Sequence, residues 1–258
     1  TSHRLLERAN LMQFALVDGV RAKPAKGRRG ECQYCGAGMV AKCGRIKVWH
    51  WAHLPRANCD PWWGGETDWH RDWKNCFPEE WQEVIHFDDQ TGEKHIADVK
   101  TPHGLVIEFQ HSPMNFDEMA SRESFYQDMI WVVDGDRGST DPGMFSVGLS
   151  WREPLSFRPL ILGAKWWGRS GLLRRWSEAN APVYIDFGSM GLWRFAKWWA
   201  EDNVGAFAQV HADWLIEACE NGDSIPVRYV PEEEEAEWKS QDFMVEVDME
   251  ELQDWDGE

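Results

Sequence analysis

The chain has 258 residues, enough for one large or two small domains, with 43% hydrophobic residues and 18 tryptophans to fill a core. Its net charge of −17 argues against a broadly basic, nucleic-acid-coating protein, but 13 acids and one base follow Pro231, so the preceding body is only mildly acidic. No signal peptide and no apolar run long enough to span a membrane are present, and six cysteines with one Cys-x-x-Cys pair fit a reduced compartment; a cytoplasmic protein without membrane contact is expected.

Residues 1–28 read as a short strand or helix over Leu11–Val20 and a basic loop ending Lys26-Gly-Arg-Arg-Gly30. That loop suits a solvated linker or a phosphate contact equally well. Residues 31–59 carry Cys32-x-x-Cys35, His50-x-x-His53 and Cys59. Thiolate and imidazole at this spacing point to a tetrahedral, structural Zn²⁺ site. Cys32, Cys35 and His53 are joined there by either His50 or Cys59; Cys43 has no obvious place.

A helix is expected over 62–78, capped by Thr67 or Gly65, with Trp69, Trp73 and Phe77 toward the core. Glu66, His70 and Lys74 recur on a neighbouring stripe. That stripe suits a solvated polar face as well as a face turned to the hairpin that follows. Residues 81–87 read as a strand. Residues 94–110 read as two buried strands joined by Pro102-His103-Gly104, a three-residue loop with Gly104 at the φ > 0 position. In that register Thr101 faces Leu105, and Asp98 lies opposite Glu108 on one face. Two carboxylates so close repel unless a cation lies between them, and hard oxygen donors suit Mg²⁺ or Mn²⁺.

Ser112-Pro113 is expected to open a helix running to about Asp128, and Ile130–Asp134 a buried strand. The core order is then helix, three antiparallel strands, helix, strand. The Gly- and Pro-bearing stretch 139–150 reads as a boundary. Beyond it, 151–230 reads as an appended α/β lobe with a strand at Val183–Phe187 and helices at Leu192–Glu201 and His211–Cys219. Its basic, aromatic cluster, Lys165 to Trp176, suits a snorkelling amphipathic helix better than a strand-binding face. Residues 231–258 read as an acidic tail, disordered or weakly helical.

With these pieces in order, the sequence resembles the CoiA-like competence protein family of PD-(D/E)xK nucleases. The match rests on Cys32-x-x-Cys35, His50-Trp-Ala-His53, Glu66-x-x-x-His70-x-x-x-Lys74, His95-Ile-Ala-Asp98-Val and Val106-Ile-Glu108-Phe-Gln110-x-Ser112, followed by Arg122-x-x-x-Tyr126 and Ile130-Trp-Val-Val. The resemblance implies an α/β fold: an α-β-β-β-α-β nuclease core at 61–138, behind a zinc-ribbon-like module at 1–60 and before a C-terminal extension at 139–230. It implies a Mg²⁺-dependent deoxyribonuclease, associated with DNA processing in uptake and recombination, whose partners are DNA, single strands included, and a protein partner or second copy. Asp98 and Glu108, with the Phe109 carbonyl, would hold the catalytic metal. Gln110 stands where the superfamily usually has Lys and would orient water; Glu66 and His70 would act as outer ligand or proton shuttle. Lys74 or Lys100 would replace the missing charge, and with Arg122 and Tyr126 they are the candidate nucleic-acid contacts. The rival is a nuclease fold without activity that binds DNA or recruits a partner.

Overall fold

The computed structural model describes residues 11–54, 59–62, 66–88, 91–138, 140–150, 153–157, 160–167, 170–223 and 225. The acidic tail and Arg169 lie outside the described residues.

A small five-stranded sheet comes first. Its strands β1 (Ala15–Val17), β2 (Val20–Ala22), β3 (Arg29–Glu31), β4 (Gly38–Lys42) and β5 (His50–His53) lie in the order β2-β1-β3-β4-β5. Leu11–Val20 is therefore one strand and a turn: Asp18 and Gly19 both have positive φ, the tight hairpin turn that matches strand twist. The basic loop is partly strand, since Arg29 pairs with Val40. The sheet buries little more than Met12, Ala15, Met39, Trp51 and two cysteines, and it borrows Ile96 from the main sheet to do so.

Helix α1 (Asp68–Lys74) follows, its first turn capped by Thr67, whose hydroxyl accepts from His70 N at 3.2 Å. Then come β6 (Gln82–Phe87), β7 (Lys94–Lys100), β8 (Val106–Gln110), α2 (Phe116–Tyr126) and β9 (Met129–Asp134). The order is α-β-β-β-α-β. Strands β6, β7 and β8 form an antiparallel meander, and β9 runs parallel to β8. Helix α2 begins at Phe116, later than Pro113, because Asn115 supplies the cap through its contact with Glu118 N at 2.7 Å.

The chain continues through α3 (Asp141–Ser150), β10 (Glu153–Phe157), β11 (Leu160–Lys165), α4 (Gly171–Trp176), β12 (Val183–Asp186), β13 (Leu192–Trp199), β14 (Val204–Val210) and α5 (Ala212–Asn221). All these strands extend the same sheet, giving nine in the order β10-β11-β14-β13-β12-β9-β8-β7-β6. The 151–230 stretch therefore continues the sheet of the preceding core, with β12 parallel to β9.

Two local expectations fail here. Residues 141–150 form a helix: Pro142 sits in its first turn, where its missing N–H costs nothing. Gly148 lets that helix approach β11, since a Cβ there would lie 2.6 Å from the Lys165 carbonyl. Leu192–Trp199 is a strand rather than a helix. Its register shifts between Phe195 and Lys197, and the extra residue makes apolar spacing look helical in the sequence.

The main sheet is covered on both faces. Ile130 and Val132 join Val99, Ile107 and Phe109 under Phe77 and α5. Met129, Trp131 and Val133 face Met119, Phe145, Leu173 and Trp176 on the other side. In the basic, aromatic cluster, Trp166 and Trp176 are thus core residues. Two carboxylates, the half-buried Asp186 and the buried Glu123, lock the layers. Asp186 accepts from the indole N–H groups of Trp69 and Trp73, each at 2.9 Å, which fixes α1 against the end of β12. Glu123 accepts from Trp131 Nε1 at 3.0 Å and from the Asn180 and Ala181 amides. Among the described residues, no helix is long and apolar enough to cross a membrane.

Candidate metal centre and active site

The register of the β7–β8 hairpin is the one the three-residue loop dictates. Val99 pairs with Ile107 and Lys100 with Val106, and Thr101 N donates to Leu105 O at 2.9 Å. One step further along that register stand Asp98 and Glu108. There the side chains take over from the backbone ladder. Glu108 Oε1 accepts from Asp98 N at 3.2 Å, and Asp98 Oδ2 accepts from Phe109 N at 3.0 Å. Each acid thus braces the other's strand, and both line one cavity of about 200 Å³.

Two helices bring the remaining groups. From α1, His70 Nε2 lies 2.9 Å from Asp98 Oδ1. From α2, Arg122 Nη1 lies 2.7 Å from Glu108 Oε2, while its Nη2 reaches Glu118 and the Trp62 carbonyl. The polar stripe of α1 therefore turns to the hairpin. Lys74 is fully buried, with Nζ 2.6 Å from Glu66 Oε1 and 2.8 Å from Glu83 Oε1, and Arg71 closes on the other oxygen of Glu66. Gln110 and Phe109 line the cavity with Glu66 and His70.

The electrostatics follow from burial and charge. Burial pushes the Glu108 carboxyl up to about 8, Asp98 adds to this, and Arg122 only partly offsets it. Burial also opposes ionisation of Asp98, but His70, Lys74 and the Phe109 amide hold it below the usual carboxylate range. Glu66 is likewise buried and held low by Lys74 and Arg71. The ion-paired set links five acids (Glu66, Glu83, Asp98, Glu108, Glu118) to Arg71, Lys74, Arg122 and His70, and with Glu108 raised to about 8 the set gains a further negative charge only when that carboxyl ionises. A hard divalent cation would favour the ionised form of Glu108, and each carboxylate oxygen at the cavity wall has lone-pair capacity beyond its one bond.

Several candidate nucleic-acid contacts sit elsewhere than expected. Lys74 and Tyr126 are 0% and 4% exposed and do not line the cavity, so they hold the site from behind, whereas Arg122, 7% exposed, does line it beside Glu108 and Glu118. Lys100 is half-buried and does not line the cavity. Nor can Lys74 orient a water at the cavity mouth; its charge reaches Asp98 through the buried interior.

The second cluster is thiolate and imidazole. Cys32 Sγ, Cys35 Sγ, His53 and Cys59 Sγ place their ligand atoms all within 4.8 Å of one another, a set that could bind a metal such as zinc. Cys32 and Cys59 lie 3.8 Å apart, and Cys35 lies 3.3 Å from His53 Nε2. The hydrogen bond from Cys59 lowers the Cys32 thiol to about 4, while that same partner and burial raise Cys59. Zinc would hold both as thiolates. All six cysteines are free of disulfides. His50 is not part of the cluster. It is three residues from His53 on one strand, so the two point to opposite faces, and His50 Nδ1 lies 2.7 Å from Val48 O. Cys59 takes the place left open in the sequence.

The structure also shows anchors that the sequence did not reveal. Glu83, at φ 47°, accepts from Gln13 N at 2.7 Å, Phe14 N at 3.1 Å and Lys74, riveting the small sheet to β6. Asp60, next to Cys59, lies 2.8 Å from His95 Nδ1 and accepts from Ile96 N at 2.6 Å. Trp62 stacks on His95 at 3.3 Å between centroids. These partners are far apart in the chain and follow no period; the one local signal is that Asp60 adjoins a zinc-type ligand. No family model, curated protein or solved structure matches the chain.

Proposed function

We propose that the protein is a metal-dependent nuclease of the PD-(D/E)xK type that hydrolyses phosphodiester bonds in DNA. The observation that carries this is the pair Asp98 and Glu108, buried and mutually braced on adjacent strands, on the wall of one cavity with His70 and Gln110. Asp98, Glu108 and the Phe109 carbonyl would hold Mg²⁺ or Mn²⁺. Such an ion, when bound, polarises a phosphodiester and makes a nucleophile of water near neutral pH. Arg122 fixes the Glu108 carboxylate, and His70 fixes Asp98 and stands within reach to hold a proton. Gln110 orients water by hydrogen bonding, and Lys74 supplies buried positive charge behind the acids. The Cys32, Cys35, His53 and Cys59 cluster binds a structural zinc. The family reading remains the CoiA-like resemblance of the motifs.

A second reading, an inactive nuclease fold that binds DNA, is favoured by one feature. Gln110 brings no cation to the cavity, and its amide donates to Ser112 O. Incubating the full chain with end-labelled single- and double-stranded DNA, with Mg²⁺, with Mn²⁺ and without added divalent ion, separates the two. The nuclease reading expects metal-dependent cleavage, lost by about a thousandfold or more in Asp98→Ala and Glu108→Ala, a barrier rise of about 4 kcal/mol. Binding without cleavage under all conditions establishes the second reading instead.

A further inference from the structure

Beside the carboxylate cavity lies a second one of about 310 Å³, and the two share residues 110–113 of the chain. It forms where the parallel strands β8 and β9 end, at Gln110 and Asp134. The carboxyl ends of parallel strands are where open α/β sheets place ligands. Its polar lining includes His111, Asp134, Arg137, Asp141 and Arg175.

The acids there are already engaged. Asp134 Oδ2 lies 2.6 Å from His111 Nδ1, and Asp134 Oδ1 accepts from Asp136 N at 3.0 Å. Asp141 Oδ1 accepts from Ser170 Oγ at 3.1 Å. The two guanidinium groups are not engaged: Arg137 is exposed and Arg175 half-buried, and neither has an ion-pair or hydrogen-bond partner for its side chain among the described residues. The cavity thus offers two free planar cations beside carboxylates whose oxygens are already hydrogen-bonded, continuous with the carboxylate cavity. Guanidinium forks match the oxygens of phosphate in pairs.

We infer that this second cavity is a phosphodiester-backbone subsite: Arg137 and Arg175 grip the DNA strand beyond Gln110, on the side away from α1, while the scissile phosphate lies over Asp98 and Glu108. This rests on the nuclease reading for the identity of the strand. It also accounts for an acidic body holding a polyanion, since attraction is focused at one end of the cleft and not spread over the surface. His111, held by Asp134, lies between the two cavities, where a strand passing from one to the other would cross it.

The test uses the full-length, zinc-loaded protein and two probes. Fluorescent single-stranded 12-mer DNA spans both cavities; bis(p-nitrophenyl) phosphate occupies the carboxylate cavity alone. In Arg137→Glu/Arg175→Glu, 12-mer affinity measured without added Mg²⁺ should fall at least tenfold, whereas Mg²⁺-dependent hydrolysis of the small diester should stay at the wild-type rate. The neutral pair Arg137→Gln/Arg175→Gln should reduce the slope of log K against log salt by about 1.4, the loss of two phosphate contacts on a single strand. Arg174→Glu, an exposed charge one residue away that does not line the cavity, should change neither. Wild-type affinity and salt slope in both double variants, with DNA cleavage intact in the unmodified protein, would overturn the subsite and leave the nuclease reading in place. Arginine-dependent DNA binding by a protein that cleaves nothing would support the subsite and sink the nuclease reading. No DNA binding by the unmodified protein would overturn both.

Discussion

The two side-chain clusters of this protein are built on opposite terms. Around Cys32, Cys35, His53 and Cys59, four soft donors converge from a turn, a strand and a connecting segment on a sheet with a thin core. Four protein ligands leave a tetrahedral ion no vacancy, so such a site holds structure together. Around Asp98 and Glu108, hard oxygen donors sit on adjacent strands of a large sheet whose two faces are already packed. With apolar cores on both faces, that sheet has packing independent of the acids, which can line a cavity with spare lone pairs. The contrast teaches that a cluster's task shows less in which residues it contains than in whether the scaffold can stand without it. The two are joined through the strand that carries Asp98: Cys59 leads into Asp60, which grips His95 and Ile96, and Tyr34, between Cys32 and Cys35, bonds Lys94.

The largest expected effect separates the clusters directly. Cys35→Ser should reduce bound zinc from one per chain to none and unfold the small sheet, read as a loss of amide protection over 15–53, while the nine-stranded sheet stays protected. His50→Gln should keep its full zinc content. Simultaneous collapse of both sheets in Cys35→Ser would show that the large one also depends on the metal. Zinc lost in His50→Gln would mean that the ligand set is wrong.

Next in size is Lys74→Met. It removes the buried cation shared by Glu66 and Glu83 and leaves two desolvated carboxylates short of a partner. Loss of one member of a buried ion pair costs about 3–5 kcal/mol. Arg71 and the Gln13 and Phe14 amides remain as partners, so the lower figure applies, a fall of roughly 5–10 °C in melting temperature for a chain of this size. A melting temperature unchanged within a degree would show that the interior carries no such debt.

The smallest effect is a pH slope. Because burial and Asp98 raise Glu108 from 4.5 to about 8, the folded protein keeps a proton there that the unfolded chain releases. The magnesium-free protein should therefore draw full benefit on the acid side of that window and lose it as pH rises through about 8. Asp98→Asn should reduce this slope in denaturant titrations without abolishing it, because burial, the larger cause, remains. An equal slope in the variant would mean that the repulsion between the acids contributes nothing to it.

How much of this was legible in the sequence depended on how local the cause was. The Asp98–Glu108 register follows from Pro102-His103-Gly104, because a short loop fixes which residues face each other, and Thr101 and Leu105 meet as that loop requires. The capping threonine of α1 and the core-facing Trp69, Trp73 and Phe77 were legible for the same reason. What stayed hidden was set by distant chain. The tryptophans of α1 are there partly for Asp186, more than a hundred residues on. Lys74 looked like a ligand contact until Glu83 enclosed it. His50 formed a symmetric pair with His53 on paper, but strand alternation sends it to the other face. A one-residue register shift disguised β13 as a helix, and a Pro and two Gly disguised α3 as a boundary.

The most direct measurement of the central contrast counts manganese in the zinc-loaded protein. Mn²⁺ titration followed by electron paramagnetic resonance should show tight binding at the carboxylate cavity in the unmodified chain, abolished by Asp98→Asn, with zinc content unchanged at one per chain. No tight Mn²⁺ binding, or binding that survives Asp98→Asn, would contradict the assignment of Asp98 and Glu108 as the seat of a catalytic cation.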